Sequence, residues 1–214
     1  MLKRTLALLG LGAAAAMAAP DPLLYEPMFC DRPELYRATA SAAPWQALLF
    51  GSAAEPAAVR ALAADPAADS RVRALAFGWL RQRQQPVPRG ELLGVVFEVE
   101  VAGGLDVLAV YADGRLRYLH HAGRVALFDA LPPAMQSAWA AVMSAARQAS
   151  VTAQPWLRRG GALPGPGDVR LGFVRSDGLH LRQGRFEDLQ RDAAAGPLLL
   201  AGAQLLQQVT QVLR

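Results

Sequence analysis

The sequence predicts an α+β fold, in which an antiparallel sheet of about six strands, a meander followed by a hairpin, is covered by helices. Three observations support this prediction. Apolar residues recur every three to four positions over residues 72–80 and again near the C-terminus, as in amphipathic helices. Over residues 93–101 every second residue is apolar, as in a strand. Asp-Gly pairs at 113–114 and 177–178 predict tight turns between antiparallel strands.

The first 18 residues have the pattern of a signal peptide. Lys3 and Arg4 form a basic start, residues 5–17 form a short apolar run, and Ala16 and Ala18 supply a small-x-small cleavage pattern. An uncleaved membrane anchor is the alternative, but the apolar run is shorter than the roughly 20 residues of a membrane-spanning helix. We therefore expect a mature protein that begins near Ala19 and is periplasmic or secreted by a bacterium.

Composition excludes several kinds of chemistry. Lys3 is the only lysine and would leave with the signal, so a lysine Schiff base, a pyridoxal-phosphate anchor and a P-loop lysine are not available. The arginines are dispersed among acidic and apolar residues, so no nucleic-acid partner is expected. Cys30 is the only cysteine, so it cannot form an internal disulfide. We expect its side chain to behave as a small, partly buried apolar group. No cofactor is predicted.

Two segments precede the predicted sheet. Residues 19–55 form a Pro-rich N-terminal arm, either a tether or a wrapping arm, with short helical turns around residues 34–40. Residues 56–85 form a helical segment, in which Pro56 lies in the first turn of a short helix that ends at Asp65. A second helix follows from Asp69. Its apolar stripe consists of Val72, Leu75, Ala76, Trp79 and Leu80.

The α+β core is expected over residues 89–214 and begins with the sheet. In the first strand the apolar face runs from Leu93 to Val101, while Glu98 and Glu100 occupy the other face and are expected to be solvated. Residues 105–112, 115–121 and 124–128 complete the meander. The strand 105–112 is apolar on both faces, which predicts an interior position. Residues 169–175 and 179–182 form the later hairpin.

Two later helices are expected to pack on the sheet. The first follows the Pro-Pro pair at 132–133 and carries an apolar stripe that predicts a core face. That stripe consists of Met135, Trp139, Val142, Met143 and Ala146. The second ends the chain, and one of its faces carries Gln204, Gln207, Gln208 and Gln211. This neutral glutamine face is compatible with a homodimer formed through the C-terminal helix.

Candidate ligand-binding residues come from two parts of the chain. Trp156, Arg158 and Arg159 combine two residue types that are enriched at binding hot spots, next to a Gly/Pro-rich loop at 160–167. His120 and His180 lie in predicted strands, and His180 would approach either His120 or His121 if the two hairpins pair.

No metal site and no catalytic residues are predicted. His120 and His121 are neighbours on a predicted strand, so their side chains should point to opposite faces and bind no common metal. A Ser-His-Asp hydrolase would use Ser176 and His180 with either Asp177 or Asp113, but the chain has no G-x-S-x-G elbow.

Two stretches resemble a group of exported bacterial proteins of uncharacterised function. The first comprises SRVRALAFGWLR at 70–81 and PVPRGELLGVVFEVEVAGGLDVLAVYADGRLRYLHHAGR at 86–124, and the second is VRSDGLHLRQGRFEDLQRDAAAGP at 174–197. The resemblance covers most of the chain after the signal. Its motifs are turns and strands, so it implies neither an activity nor site residues.

Together these observations favour an exported, non-catalytic envelope protein that binds a partner or a small ligand. The alternative is a periplasmic hydrolase or metal-dependent enzyme that uses the histidines, and a purely structural subunit is a third class. A histidine that converges with two further polar groups in a concave pocket would favour the enzyme. After cleavage no stable membrane span is expected.

Overall fold

The computed structural model describes residues 19–37, 43–52, 54–101, 104–157, 159–160 and 162–212. The predicted signal peptide and Arg158 therefore lie outside the described residues. Within them the chain forms seven α-helices and seven strands in one antiparallel sheet. The α+β prediction is confirmed, with seven strands instead of about six.

Four helices precede the sheet, and the first three begin with proline. Proline suits the first turn of a helix because the N–H groups of that turn have no partner within the helix, so the absence of one costs nothing. The fourth begins after Asp69, whose side chain accepts a hydrogen bond from the backbone N–H of Arg71 (2.8 Å). The helices are α1 (Pro22–Tyr25), α2 (Pro44–Phe50), α3 (Pro56–Ala64) and α4 (Ser70–Gln82). Two 3₁₀ turns, Glu26–Phe29 and Pro33–Tyr36, lie between α1 and α2. Helix α2 falls in the segment predicted as an arm.

The sheet has the order β4-β3-β2-β1-β6-β7-β5. Its strands are β1 (Leu92–Val101), β2 (Gly104–Tyr111), β3 (Leu116–Leu119), β4 (Val125–Phe128), β5 (Gln154–Pro155), β6 (Asp168–Arg175) and β7 (Gly178–Arg185). The hairpin of β2 and β3 lies on one side of β1, and the hairpin of β6 and β7 lies on the other. Strand β5 was not predicted, since two residues are too few to show an alternating pattern.

One face of the sheet is covered by the later helices. These are α5 (Gln136–Val151), α6 (Phe186–Arg191) and α7 (Ala195–Val212), and a 3₁₀ turn at Pro133–Met135 leads into α5. Val95 and Phe97 of β1 pack with Val142 of α5 and Leu205 of α7 in one apolar cluster. The four glutamines of α7 line a shallow cleft against the first turns of α5.

The other face is covered by α4 and by the described part of the arm, which wraps over the sheet. Phe29 and Leu75 are buried there with Val96 and Ala109 of the central strands. The Tyr111 hydroxyl donates a hydrogen bond to the Met28 carbonyl (2.9 Å), which ties the arm to β2. The fold is therefore three-layered, with the sheet in the middle.

An irregularity in β1 changes the predicted strand face. The pairing of β1 with β6 shifts register between Leu92 and Gly94. Leu93 consequently packs with the arm and α4, whereas Val95 and Phe97 pack with α5 and α7. The prediction that placed Leu93 on the same face as Val95 was wrong, because a bulge interrupts the two-residue period of a strand.

None of the helices in the described part of the chain combines the length and the hydropathy that crossing a bilayer requires.

Candidate functional site

An open cavity of about 630 Å³ lies between the arm, the last turns of α4 and the β5–β7 end of the sheet. Small-molecule sites typically occupy about 300–1,000 Å³, so the cavity has room for a compact organic ligand. Five arginines and two aspartates line it among the described residues. We call it the arginine groove and define it by Arg37, Arg81, Arg83, Arg159 and Arg175 together with Asp31 and Asp177.

Besides Arg159, which lies over Phe29, two of these arginines lie against aromatic rings. The Arg83 guanidinium carbon is 3.8 Å from the ring centroid of Trp79, one helical turn away, and that of Arg37 is 5.2 Å from the centroid of Phe50. Cation–π contacts of this kind hold the charge in place without neutralising it. Among the described residues neither guanidinium forms an ion pair with a carboxylate.

Other arginines of the groove are already paired. Arg159 Nε donates to Asp31 Oδ2 (2.8 Å), and Arg159 also forms an ion pair with Glu26. Arg175 donates to both carboxylate oxygens of Asp177, at 2.9 and 2.8 Å. These pairs hold the arm and the β6–β7 turn in position. The unneutralised positive charge of the groove therefore comes from Arg37, Arg81 and Arg83.

Arg81 is held by the backbone. Its Nη1 donates a hydrogen bond to the Ser176 carbonyl, which links the end of α4 to the turn after β6. Burial lowers the pKa of Arg81, and the nearby carboxylate of Asp177 partly opposes that effect.

Trp156 forms part of the groove wall beside the arm. Its ring packs edge-on against Phe29, with centroids 5.6 Å apart, and the Arg170 guanidinium lies 5.3 Å from its centroid. Its backbone N–H donates to the Leu179 carbonyl (2.8 Å), which continues the pairing of β5 with β7. Trp156, Arg159 and His180, three of the candidates from the sequence, therefore line one groove.

His180 lies on β7 and is nearly buried. Its Nδ1 is 3.3 Å from the Gly178 carbonyl oxygen. The Ser176 hydroxyl donates to the Pro88 carbonyl (2.7 Å) and accepts from the Glu91 N–H (3.2 Å). Because that hydroxyl is engaged with the backbone on both sides, it serves as a turn residue.

The two hairpins do not pair, so the approach of His180 to His120 or His121 that such pairing would bring does not occur. The hairpin that precedes His120 and the hairpin that carries His180 lie on opposite sides of β1, so the two histidines are about four strand spacings, roughly 19 Å, apart. The two hairpins contact β1 instead of each other.

His120 and His121 do not point to opposite faces, and that prediction was also wrong. Strand β3 ends at Leu119, and the next residues enter a turn in which Gly123 has a φ of +82°. The turn breaks the alternation of a strand, so the two imidazole rings stack, with centroids 4.0 Å apart and planes inclined by 29°. Burial lowers the pKa of His120, and the charges of His121 and Arg124 act in the same direction against the carboxylate of Asp106.

Asp106 of β2 joins this pair of histidines. Its Oδ1 is 2.8 Å from both the backbone nitrogen and the Nδ1 of His121, and its Oδ2 accepts a hydrogen bond from the Tyr118 hydroxyl (2.8 Å). A carboxylate oxygen accepts hydrogen bonds, so Nδ1 of His121 is the donor to Oδ1 of Asp106. Asp106, His120 and His121 each offer a ligand atom within 4.8 Å of the others. We call them the histidine cluster.

Glu98 was predicted to be solvated, and that prediction was wrong. The arm covers its face of the sheet and buries it completely. Its Oε1 accepts hydrogen bonds from the Tyr25 hydroxyl (2.7 Å) and Arg170 Nη1 (3.3 Å), while Oε2 has no hydrogen-bond partner. Burial raises the pKa of Glu98, against the opposing effects of Tyr25 and Arg170.

Comparison with protein families, with curated proteins and with solved structures gives no match to this chain.

Proposed function

We propose that this protein is an exported binding protein whose arginine groove holds a small organic anion with an apolar body. The proposal depends on two arginines of the groove, Arg37 and Arg83. Both guanidiniums line the groove against aromatic rings, and neither is paired with a carboxylate among the described residues.

The chemistry of the groove favours an anion. A guanidinium that stacks on a ring keeps its N–H edges free, and those edges match a carboxylate, sulfonate or phosphate in two parallel hydrogen bonds. The lining also includes apolar side chains that suit an aliphatic or aromatic body. Among them are Phe50, Trp156, Leu157 and Leu179.

Binding is favoured over hydrolysis because the polar side chains in the groove, and Ser176 buried beside it, are already engaged with other groups. The Ser176 hydroxyl and the Asp177 carboxylate are both engaged, the first with backbone groups and the second with Arg175. His180 lies against a backbone carbonyl. Hydrolysis by a catalytic triad requires the nucleophile, the base and the orienting acid to contact one another, whereas these three side chains contact other groups.

A fluorescent aromatic sulfonate, 8-anilinonaphthalene-1-sulfonate, tests the groove directly because it is anionic and apolar. We expect saturable binding to the folded protein, competed by decanoate and not by decylamine, which has the same chain and the opposite charge. R37Q and R83Q should each weaken binding by about tenfold, since a hydrogen bond to a charged group contributes about 1.5 kcal/mol.

R147Q is the matched control, because Arg147 is exposed on α5, on the other face of the sheet. Its affinity should equal that of the wild type, and near-ultraviolet circular dichroism should show the same fold in all variants. An R37Q/R83Q double variant that binds the sulfonate as tightly as the wild type would refute the proposal.

The proposed export has a separate test. The basic start, the short apolar run and the cleavage pattern of residues 1–18 support it. Mass spectrometry of the protein expressed in a bacterial host should find Ala19 as the first residue in the periplasmic fraction. Intact Met1 on protein confined to the cytosol would contradict it.

A further inference from the structure

We propose that the histidine cluster, Asp106 with His120 and His121, binds a divalent transition-metal ion such as Zn²⁺. Asp106 alternates along β2 with residues that face the arm, so the cluster belongs to the sheet face covered by α5 and α7. The arginine groove lies on the other face. The inference is thus independent of the proposed function.

The geometry of the cluster brings the ligand atoms near the required distances. The three side chains offer atoms that all lie within 4.8 Å of one another. Zinc binds imidazole nitrogen at about 2.0–2.1 Å and carboxylate oxygen at about 2.0–2.2 Å, so neighbouring ligand atoms around a tetrahedral ion are about 3.4 Å apart. The two partly exposed rings lie in a turn, and their rotation would bring the ligand atoms closer together.

The hydrogen bonds around Asp106 prepare the site. Asp106 is held at Oδ2 by the Tyr118 hydroxyl, and its Oδ1 lies 2.8 Å from Nδ1 of His121, so a metal ion that replaces the proton between these two atoms would contact both residues. A ligating carboxylate is commonly fixed by a hydrogen bond from a group outside the metal site, which is the role of the Tyr118 hydroxyl here.

The donor atoms select the kind of ion. Two imidazoles and one carboxylate suit Zn²⁺, Co²⁺, Ni²⁺ or Cu²⁺, whereas Ca²⁺ and Mg²⁺ prefer oxygen ligands alone. Nδ1 of His120 accepts a hydrogen bond from the Ala122 N–H (3.0 Å). This hydrogen bond would be lost if Nδ1 bound the metal instead. Three protein ligands leave a fourth position for water, as in an open zinc site.

One neighbouring charge opposes the ion. The Arg124 guanidinium has Nη2 3.4 Å from Nε2 of His120, on the exposed side of the turn. Removal of this cation should strengthen metal binding, because two positive charges at such a distance repel each other. This gives the proposal a variant with a gain in affinity as well as variants with a loss.

Calorimetric titration with zinc chloride tests the site, using protein purified without a histidine tag. We expect one ion per chain, binding in the micromolar range or tighter, and a rise in melting temperature with added zinc. Cobalt(II) should give visible d–d absorption bands of tetrahedral intensity. H120Q and H121Q should each weaken zinc binding by at least about tenfold, and R124Q should strengthen it several-fold.

H180Q is the control. His180 lies on the far side of β1, so the H180Q variant should bind zinc as the wild type does. The melting temperature without metal shows whether each variant is folded, so a loss of affinity in a folded H121Q protein counts as support. Absence of saturable zinc binding, or zinc binding that an H120Q/H121Q double variant retains in full, would overturn the proposal.

Discussion

Tyr25 is the clearest place to test how the arm is held on the sheet. The variant Y25F removes one oxygen, whose hydroxyl donates to Glu98 at 2.7 Å, and keeps the ring that packs edge-on against Phe29 with centroids 5.2 Å apart. Glu98 is fully buried and its other oxygen has no hydrogen-bond partner, so the carboxylate is left with Arg170 at 3.3 Å. A hydrogen bond to a charged group contributes about 1.5–3 kcal/mol, and we expect a loss of that size.

The matched control is Y111F, which removes the same atom from another contact between the arm and the sheet. The Tyr111 hydroxyl donates to a neutral acceptor, the Met28 carbonyl, so its loss should cost about 0.5–1.5 kcal/mol. For a protein of this size, 1 kcal/mol corresponds to about 2–4 °C in melting temperature. We therefore expect Y25F to melt about 3–12 °C below the wild type and Y111F about 1–6 °C below it.

Urea unfolding followed by tryptophan fluorescence at pH 8, with calorimetric melting as a second measurement, compares the two variants. The alkaline buffer favours the ionised form of Glu98, for which the difference between the two acceptors is largest. If Y25F loses no more free energy of unfolding than Y111F, then Glu98 is not the charged acceptor that holds the arm.

Three further predictions concern burial. The raised pKa of Glu98 means that the folded protein binds the Glu98 proton more tightly than the unfolded chain does, so stability should fall as pH rises from about 4.5 through that raised pKa. The free energy of unfolding of E98Q minus that of the wild type should therefore increase with pH. A difference that stays constant across pH in urea titrations would contradict this. G202A places a Cβ 2.6 Å from the Phe97 ring and should cost about 1–3 kcal/mol in the same assay, whereas no loss would show that α7 can shift freely. Burial raises the pKa of Cys30 to about 12, so Ellman's reagent should label it at neutral pH only after urea unfolding, and fast labelling of the native protein would contradict its burial.

The helices and turns were predictable because their signals are local. The apolar stripe of α4 recurs every three to four residues, and all five of its members are buried. The Asp-Gly pairs at 113–114 and 177–178 lie at the two hairpin turns, where Gly114 and Gly178 have positive φ values that glycine adopts without strain. Strand β5 has no such signal, because its existence depends on pairing with β7.

The groove was only partly predictable. Trp156, Arg159 and His180 were singled out from residue type, and the structure brings them to one cavity. Arg37 and Arg83, two of the three groove arginines that have no carboxylate partner among the described residues, were missed. The four-residue spacing of Trp79 and Arg83 on a predicted helix was the available signal for one of them. Arg37 had none, since its place beside the groove depends on the path of the arm.

Periodicity and turn chemistry act over a few residues, so the amino-acid sequence by itself determined the α+β class, most of the sheet and the amphipathic helices. Only the tertiary structure decided that Glu98 is buried and that His120 and His121 stack beside Asp106. Burial depends on which distant segment covers a face, and the arm that covers Glu98 is about 70 residues away along the chain. The direction of the two histidines depends on the residue at which a strand ends, which pairing between strands sets.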